Sequence, residues 1–377
     1  PVKEEVLKEM IPYFTEKFGN PSSLYDIGLE SKEAVTHARE QVAALINAKP
    51  QEIYFTAGGT EADNWAVFGT VEKLKSKGNH IITTKIEHHA MLHSCAFLEK
   101  EGCQITYLDI DQEGRIDLKQ LEDAITDKTV LISIMLVNNE IGTIQPVKEA
   151  AAIAKKHGIL FHTDAVQGLG NVPIDVKDMG VDMMSVSSHK IYGPKGSGAL
   201  YIRKGVNIAN YMHGGGQESR KRAGTENLAG IIGFGKAAEL ARINFESHVK
   251  HCTKLRDYLK DRILSEIPDT FINGTMEGRH PGNLNITFKY IEGESILLLL
   301  NQYGISVSTG SACSSASLEP SHVLTALGVP VEMIHGTVRF TVGDFTTKED
   351  IDYVVDHLKT IVEKLREISS VNSKKGW

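Results

Sequence analysis

The sequence predicts an α/β fold: a large domain on a mixed, mostly parallel seven-stranded sheet, followed by a smaller α+β domain. Three observations carry that prediction. Seven short apolar runs recur with helical patterns between several of them, at Ile53–Phe55, Ile81–Thr84, Ile105–Leu108, Val130–Val137, Leu160–Thr163, Met183–Ser187 and Ala199–Ile202. A mostly helical connector over residues 228–262 follows the last of them. The pattern then changes to isolated strands near Asn285–Phe288, Ile305–Ser308 and Thr337–Phe340, closed by one long helix. The expected division is residues 12–245 for the large domain and 246–377, together with 1–11, for the small one.

Taken in order, residues 1–20 read as an amphipathic helix with Val6, Met10, Ile11 and Phe14 on one side, ending near Gly19-Asn20-Pro21. A second helix is expected from Ser31 to Ile46. The last helix is the clearest element: Thr346 and Glu349 suggest a capping box, and Ile351, Val354, Val355, Leu358, Ile361, Val362 and Leu365 follow at helical spacing. The tail from Ser369 to Trp377 reads as frayed.

Composition narrows the function. The chain has 377 residues, 41% of them hydrophobic and 24% charged, as in an ordinary globular protein with a sizeable core. A formal charge of −7 leaves no basic footprint for nucleic acid. The longest apolar runs are too short to span a bilayer, and no secretory signal pattern is visible in a chain that begins at Pro1. Cys95, Cys103, Cys252 and Cys313 make no disulfide framework and no CxxC pair, which points to a reducing compartment such as the cytoplasm.

Parallel sheets bind ligands at the carboxyl ends of their strands, so the residue after each strand is the place to look. After the first strand comes Thr56-Ala57-Gly58-Gly59-Thr60-Glu61-Ala62-Asp63-Asn64, opening a helix. Its free backbone N–H groups and positive helix end suit a phosphate, though the motif is neither a P-loop nor a dinucleotide fingerprint. After the second comes Glu87-His88-His89-Ala90-Met91-Leu92-His93. His89 and His93 have metal-ligand spacing but no evident third ligand, so both read as surface histidines and no metal is expected. His88 is better placed to lie over a cofactor ring. After the fourth comes Asn138-Asn139-Glu140, whose neutral amides suit a phenolate or carboxylate oxygen. Asp164, after the fifth, is a carboxylate that needs a cationic partner or serves as a helix cap. The sixth ends in Ser187-Ser188-His189-Lys190, with an amine suited to a Schiff base beside phosphate donors. A phosphate cradle, a stacking histidine, an acid for a ring nitrogen and a lysine together point to pyridoxal phosphate.

These residues resemble a family, the NifS/IscS-like group I cysteine desulfurases of the aspartate-aminotransferase-like fold (pyridoxal phosphate fold type I). Four stretches carry the similarity: Phe55–Glu61 at the phosphate turn, Ser187–Gly196 around the Schiff-base lysine, His213–Asn227, and Ser308–Ser317 around Cys313. Loop length and the Ser-Ala-Cys context separate the last from the selenocysteine-lyase-like group. The resemblance implies cofactor contacts from Gly59, Thr60, His88, Asn139, Asp164, Gln167, Ser187, Ser188, His189, Lys190 and Thr225. Thr225 would serve the neighbouring subunit's phosphate, implying a homodimer with shared sites. Catalysis would fall to Lys190, His88 and Cys313, the last carrying a persulfide and able to ligate an iron–sulfur cluster transiently. Asn139 and Arg339 would hold the carboxylate of L-cysteine. A sulfur-acceptor protein such as an iron–sulfur scaffold is the implied partner. Two departures stand out. Relatives begin with a short strand ending Asn-Ala-Ala-Thr-Thr, and this chain starts just past it. Asp344 also stands where many relatives carry arginine, so no role is carried over to it.

Overall fold

The computed structural model describes residues 1–309 and 320–369. All seven predicted strands of the large sheet are present: β1 (Ile53–Thr56), β2 (His80–Thr84), β3 (Gln104–Leu108), β4 (Thr129–Ser133), β5 (Leu160–Asp164), β6 (Met183–Ser187) and β7 (Gly198–Ile202). Their order is β1-β7-β6-β5-β4-β2-β3. β7 runs antiparallel to both β1 and β6, and every other pairing is parallel. Both faces of the central strands are buried, which is why they read as unbroken apolar runs instead of alternating ones. One side packs Trp65, Ala66, Met91 and Cys95 from two helices against Leu131, Met183 and Leu200. Gly198 is required where β7 passes the turn after β1, because a Cβ there would lie 2.7 Å from both Gly58 Cα and Val186 O.

A second sheet has the order β10-β9-β8, all antiparallel, from β8 (Thr270–Ile272), β9 (Asn283–Phe288) and β10 (Thr337–Thr341). Its core joins Ile286, Phe288 and Val338 to Leu255, Leu259 and Ile263 of the helix Phe245–Glu266, and to Val355, Leu358 and Val362 of the helix Lys348–Ile368.

The chain divides into two compact units. One holds Pro1–Leu108, Leu118–Val137 and Gln145–Phe245; the other holds Asp109–Asp117, Asn138–Ile144 and the stretch from Glu246 on. Residues 1–11, expected with the small domain, fall in the first unit, where Lys3 N donates to Tyr192 O at 3.1 Å.

Local chemistry explains where elements differ from expectation. The first helix is two, Glu4–Met10 and Pro12–Thr15, because Pro12 has no N–H to continue a helix and fits the first turn of a new one. Val6 and Met10 are buried, whereas Ile11 and Phe14 are exposed. The connector over 228–262 breaks at Asn244 into Leu228–Ile243 and Phe245–Glu266. Ile305–Ser308 is no strand; only Ser308 makes an isolated bridge, to Arg339. The capping box lies one residue on: Asp350 N donates to Thr347 Oγ1 at 3.1 Å and Thr347 N to Asp350 Oδ2 at 2.8 Å. Thr346 Oγ1 instead accepts from Gly343 N.

Candidate active site

In the first unit the predicted residues sit on the turns after β1, β2, β5 and β6. The β1 turn leads into the helix Gly59–Leu74. Gly59 is needed for close approach, since a Cβ would meet Val166 Cγ2 at 2.6 Å. The turn is braced by a residue that sequence reasoning passed over. Glu61 Oε2 accepts from Ala57 N at 2.8 Å, and the same carboxylate takes a bidentate pair from Arg222 at 2.7 and 2.9 Å. Arg222 lies three residues before the exposed Thr225, so one ion pair ties the glycine turn to the loop that carries this threonine. A second clamp holds the start of that loop: Glu218, buried, accepts from Arg39 at 2.6 and 2.8 Å and from Phe55 N at 2.9 Å. The bend there is left-handed at three successive residues, Glu218, Ser219 and Arg220, with φ of 45°, 55° and 66°.

His88 caps the helix His89–Lys100: its Nδ1 accepts from Ala90 N at 3.2 Å, which places the ring proton on Nε2. Thr60, His88, His89 and His93 line a cavity of about 780 Å³ with Asn64 and Tyr211. Just before it, Glu87 is fully buried, and burial pushes its carboxyl up to about 8 against the donors Met135 N and Thr84 Oγ1.

Asp164 ends β5 and is 5% exposed. Its Oδ1 accepts from Val166 N at 2.9 Å, an Asx-type contact that fixes the carboxylate plane. Burial raises its carboxyl above the ordinary range, opposed by the Val166 N–H and by the charge of Lys190. Gln167, half-buried, follows three residues on. After β6, Ser188–Ile191 forms a single tight turn that carries Lys190, closed by Tyr192 in a left-handed conformation at φ 64°. Ser187 Oγ lies 2.8 Å from His189 Nδ1, and Ser188 Oγ is buried without a hydrogen-bond partner.

In the second unit, Arg339 on β10 donates from Nη1 to Asn139 O at 2.7 Å, which joins the two residues expected to hold a substrate carboxylate. Between them in sequence is another acid that was passed over. Glu140 is buried and its carboxyl is pushed up to about 7 by desolvation, although Ser321 Oγ donates to it at 2.5 Å and Arg339 is near. Asp344 takes an ion pair with His248, whose Nδ1 lies 3.7 Å from Cys252 Sγ. Burial lowers the His248 pKa, but its bonds to Asp344 and Cys252 outweigh that and carry it up to about 9. The acid at 344 therefore answers a histidine in its own unit. Cys313 and Gly310–Ser317 lie outside the described residues.

Comparison with known proteins places this arrangement. The family model for aminotransferase class-V matches residues 1–354. The chain belongs to the aminotransferase class-V family. Within this family it is 55% identical over 377 residues to the cysteine desulfurase IscS of Dictyoglomus turgidum, covering all of this chain and 95% of that one. It is also 55% identical to the cysteine desulfurase IscS of Methanosarcina thermophila, across 99% of this chain and 92% of the relative. Among solved structures, a NifS-like protein superposes with a TM-score of 0.91 at 38% identity, covering 97% of each chain. The chain is thus an aminotransferase class-V member of the cysteine desulfurase group, and pyridoxal phosphate is the cofactor of such enzymes.

The residues of this class-V chain fit that group. A buried carboxylate raised by desolvation asks for a cation, and a pyridinium nitrogen is one. The glycine turn at a helix N-terminus leaves backbone donors where a phosphate belongs. Ser188 Oγ is a buried donor still to be satisfied, and Lys190 supplies the amine.

Proposed function

We propose that the chain converts L-cysteine to L-alanine and transfers the sulfur to Cys313 as a persulfide. The match to cysteine desulfurases along the whole chain carries the reading. Asn139 and Arg339 are the residues proposed to hold the substrate carboxylate; the guanidinium's bond to Asn139 O already fixes one edge of its fork. Gly59, Thr60, Ser187, Ser188 and His189 would hold the phosphate end of the cofactor with Thr225 of a second subunit, and Asp164 its ring nitrogen, with Asn139 and Gln167 as further contacts and His88 over the ring. When bound, pyridoxal phosphate supplies an electron sink for the bond pair released at the substrate Cα. Lys190, on its tight turn, would take the Cα proton. His88, with its proton on Nε2, is set to exchange protons on the side away from its capping bond. The Cys313 thiolate would attack the substrate sulfur: an S–S bond forms, the C–S bond breaks with its electron pair left on carbon, and protonation of carbon gives alanine.

A homodimer belongs to the same proposal. It is supported by Thr225, exposed on a loop clamped at two points, and by the apolar side chains Leu7, Ile11, Phe14, Phe18 and Leu24 that one chain leaves in water, Leu24 being 90% exposed. A second copy of the chain would cover them. The persulfide would pass to a sulfur-acceptor protein such as an iron–sulfur scaffold. The cytoplasm is the proposed location, in keeping with Cys95, Cys103 and Cys252 standing as thiols. Among the described residues no helix is long and apolar enough to cross a membrane.

Mass spectrometry after incubation with L-cysteine tests the reading. Cys313 should gain one sulfur atom, and Cys313→Ala should keep the yellow bound cofactor while sulfide release stops. Undiminished sulfide from that variant would overturn the persulfide route.

A further inference from the structure

The helix Phe245–Glu266 carries a histidine and a cysteine one turn apart, His248 and Cys252, so both side chains leave the same face. Asp344, on the turn that follows β10, reaches that face and forms an ion pair with His248. Cys252 Sγ lies 3.7 Å from His248 Nδ1 and 3.8 Å from Nε2. One ligand atom from each of the three residues falls within 4.8 Å of the other two. Among the described residues this is the one place where three such groups meet.

The turn that bears Asp344 is pinned against its surroundings. His251 Nε2 lies 3.0 Å from Thr346 O, Gly343 N donates to Thr346 Oγ1 at 3.1 Å, and Val342 N donates to Gly282 O at 2.9 Å. Cys252 belongs to the apolar core of its unit and is fully buried, whereas the His248 and Asp344 side chains stay 12% and 22% exposed. A cation there has a dry sulfur behind it and an open side toward water. A tetrahedral zinc ion, with bonds of about 2.0 to 2.3 Å, spaces its ligand atoms about 3.5 Å apart. The sulfur already stands near that distance from the imidazole, and the carboxylate needs only to draw back slightly from its contact with His248. One thiolate, one imidazole and one carboxylate suit zinc and not magnesium or calcium, which take shells of oxygen.

We propose that His248, Cys252 and Asp344 form a binding site for a zinc ion, with the fourth place left to water, that joins the helix Phe245–Glu266 to the turn after β10. The ion takes the place of two protons, the one on the Cys252 thiol and the one between His248 and Asp344. Both leave to solvent, and the thiolate and carboxylate then balance the double charge of the metal. None of the three residues takes part in the sulfur transfer proposed above, so this site and that reaction are tested independently.

The test uses the cofactor-loaded protein, cleared of metal with a chelator, in a Cys313→Ala background so that the reactive thiol cannot supply sulfur. Equilibrium dialysis against zinc alone should leave one more ion per chain in this protein than in the same protein carrying Asp344→Asn or Cys252→Ser. Each of these substitutions should lower the zinc affinity at least about tenfold. X-ray absorption at the zinc edge should show one sulfur at about 2.3 Å, with nitrogen or oxygen as the remaining neighbours. Equal zinc content with and without Asp344→Asn, or a zinc shell lacking sulfur, would overturn the proposal. So would an ion that survives both substitutions and leaves with His93→Ala, which would be an adventitious ion only. If Cys252→Ser does not accumulate folded, the comparison with Asp344→Asn, on a partly exposed turn, decides together with the absorption spectrum.

Discussion

Replacing Glu87 by glutamine isolates one buried proton. The carboxyl lies in the tight link between β2 and the helix that His88 caps, and its Oε1 accepts both from Thr84 Oγ1 at 2.8 Å and from Met135 N at 3.0 Å. A glutamine oxygen can take both donors, so Glu87→Gln removes titration with little change of shape. Burial first, with the Asp164 charge adding to it and the Met135 and Thr84 donors opposing, moves the folded carboxyl from an ordinary 4.5 to about 8. A raised acid favours its protonated form in the folded state. Its contribution is therefore complete below about pH 4.5 and is lost progressively as pH rises to about 8. A span of about 3.5 units at about 1.4 kcal/mol each sets a loss of roughly 5 kcal/mol in wild type across that window. The glutamine variant does not suffer this loss. Urea unfolding of both proteins at equal cofactor excess, between pH 5 and 9, should show the variant gaining on the wild type up to about pH 8 and running parallel above it. Parallel stability profiles from pH 5 upward would refute the reasoning, since they would mean that Glu87 is already ionised in the folded chain.

Three further outcomes follow from the geometry. Arg339→Lys keeps the charge but loses the fork, so the KM for L-cysteine should rise about ten- to a hundredfold with a smaller change in kcat, read from steady-state alanine formation. Gly59→Ala drives a methyl against Val166 Cγ2, and equilibrium titration should show cofactor affinity lowered at least about tenfold with the melting temperature of the apo-protein little changed. Asp344→Asn removes the partner that carries His248 up to about 9. A raised histidine stabilises fully below its ordinary 6.5 and loses that contribution as pH climbs through 9, so the variant should be about 2 to 3 kcal/mol less stable at pH 6 and match the wild type near pH 10 by urea unfolding.

Much of the architecture was legible because each strand of the large sheet is buried on both faces and so announces itself as an apolar run. The half-buried β8, Thr270–Ile272, gives no such signal, and Ile305–Ser308 gives a false one, being apolar enough for a strand but bonded to β10 through Ser308 alone. At the site, the residues one step past a strand end could be read from position. Glu87 and Glu140 could not, because the chemistry of a buried acid depends on what surrounds it in three dimensions. Nor could Arg39 and Glu218, 179 residues apart, which sequence offers as two ordinary charges. Glu61 left one legible mark: an acid in the first turn of a glycine-led helix, with arginines in a later loop of matching charge.

The left-handed elbow at Glu218–Arg220 has a kinetic corollary. Non-glycine residues in that region cost of order 1 kcal/mol or more apiece, and here they are fastened by Arg39 from within the same chain. In the proposed homodimer the loop that presents Thr225 would therefore be cast before any companion arrives, and an incoming subunit would meet a finished hook with no slack chain left to order. Encounter between subunits would then owe little to folding on contact, and exchange of protomers would be governed by release of the old pairing.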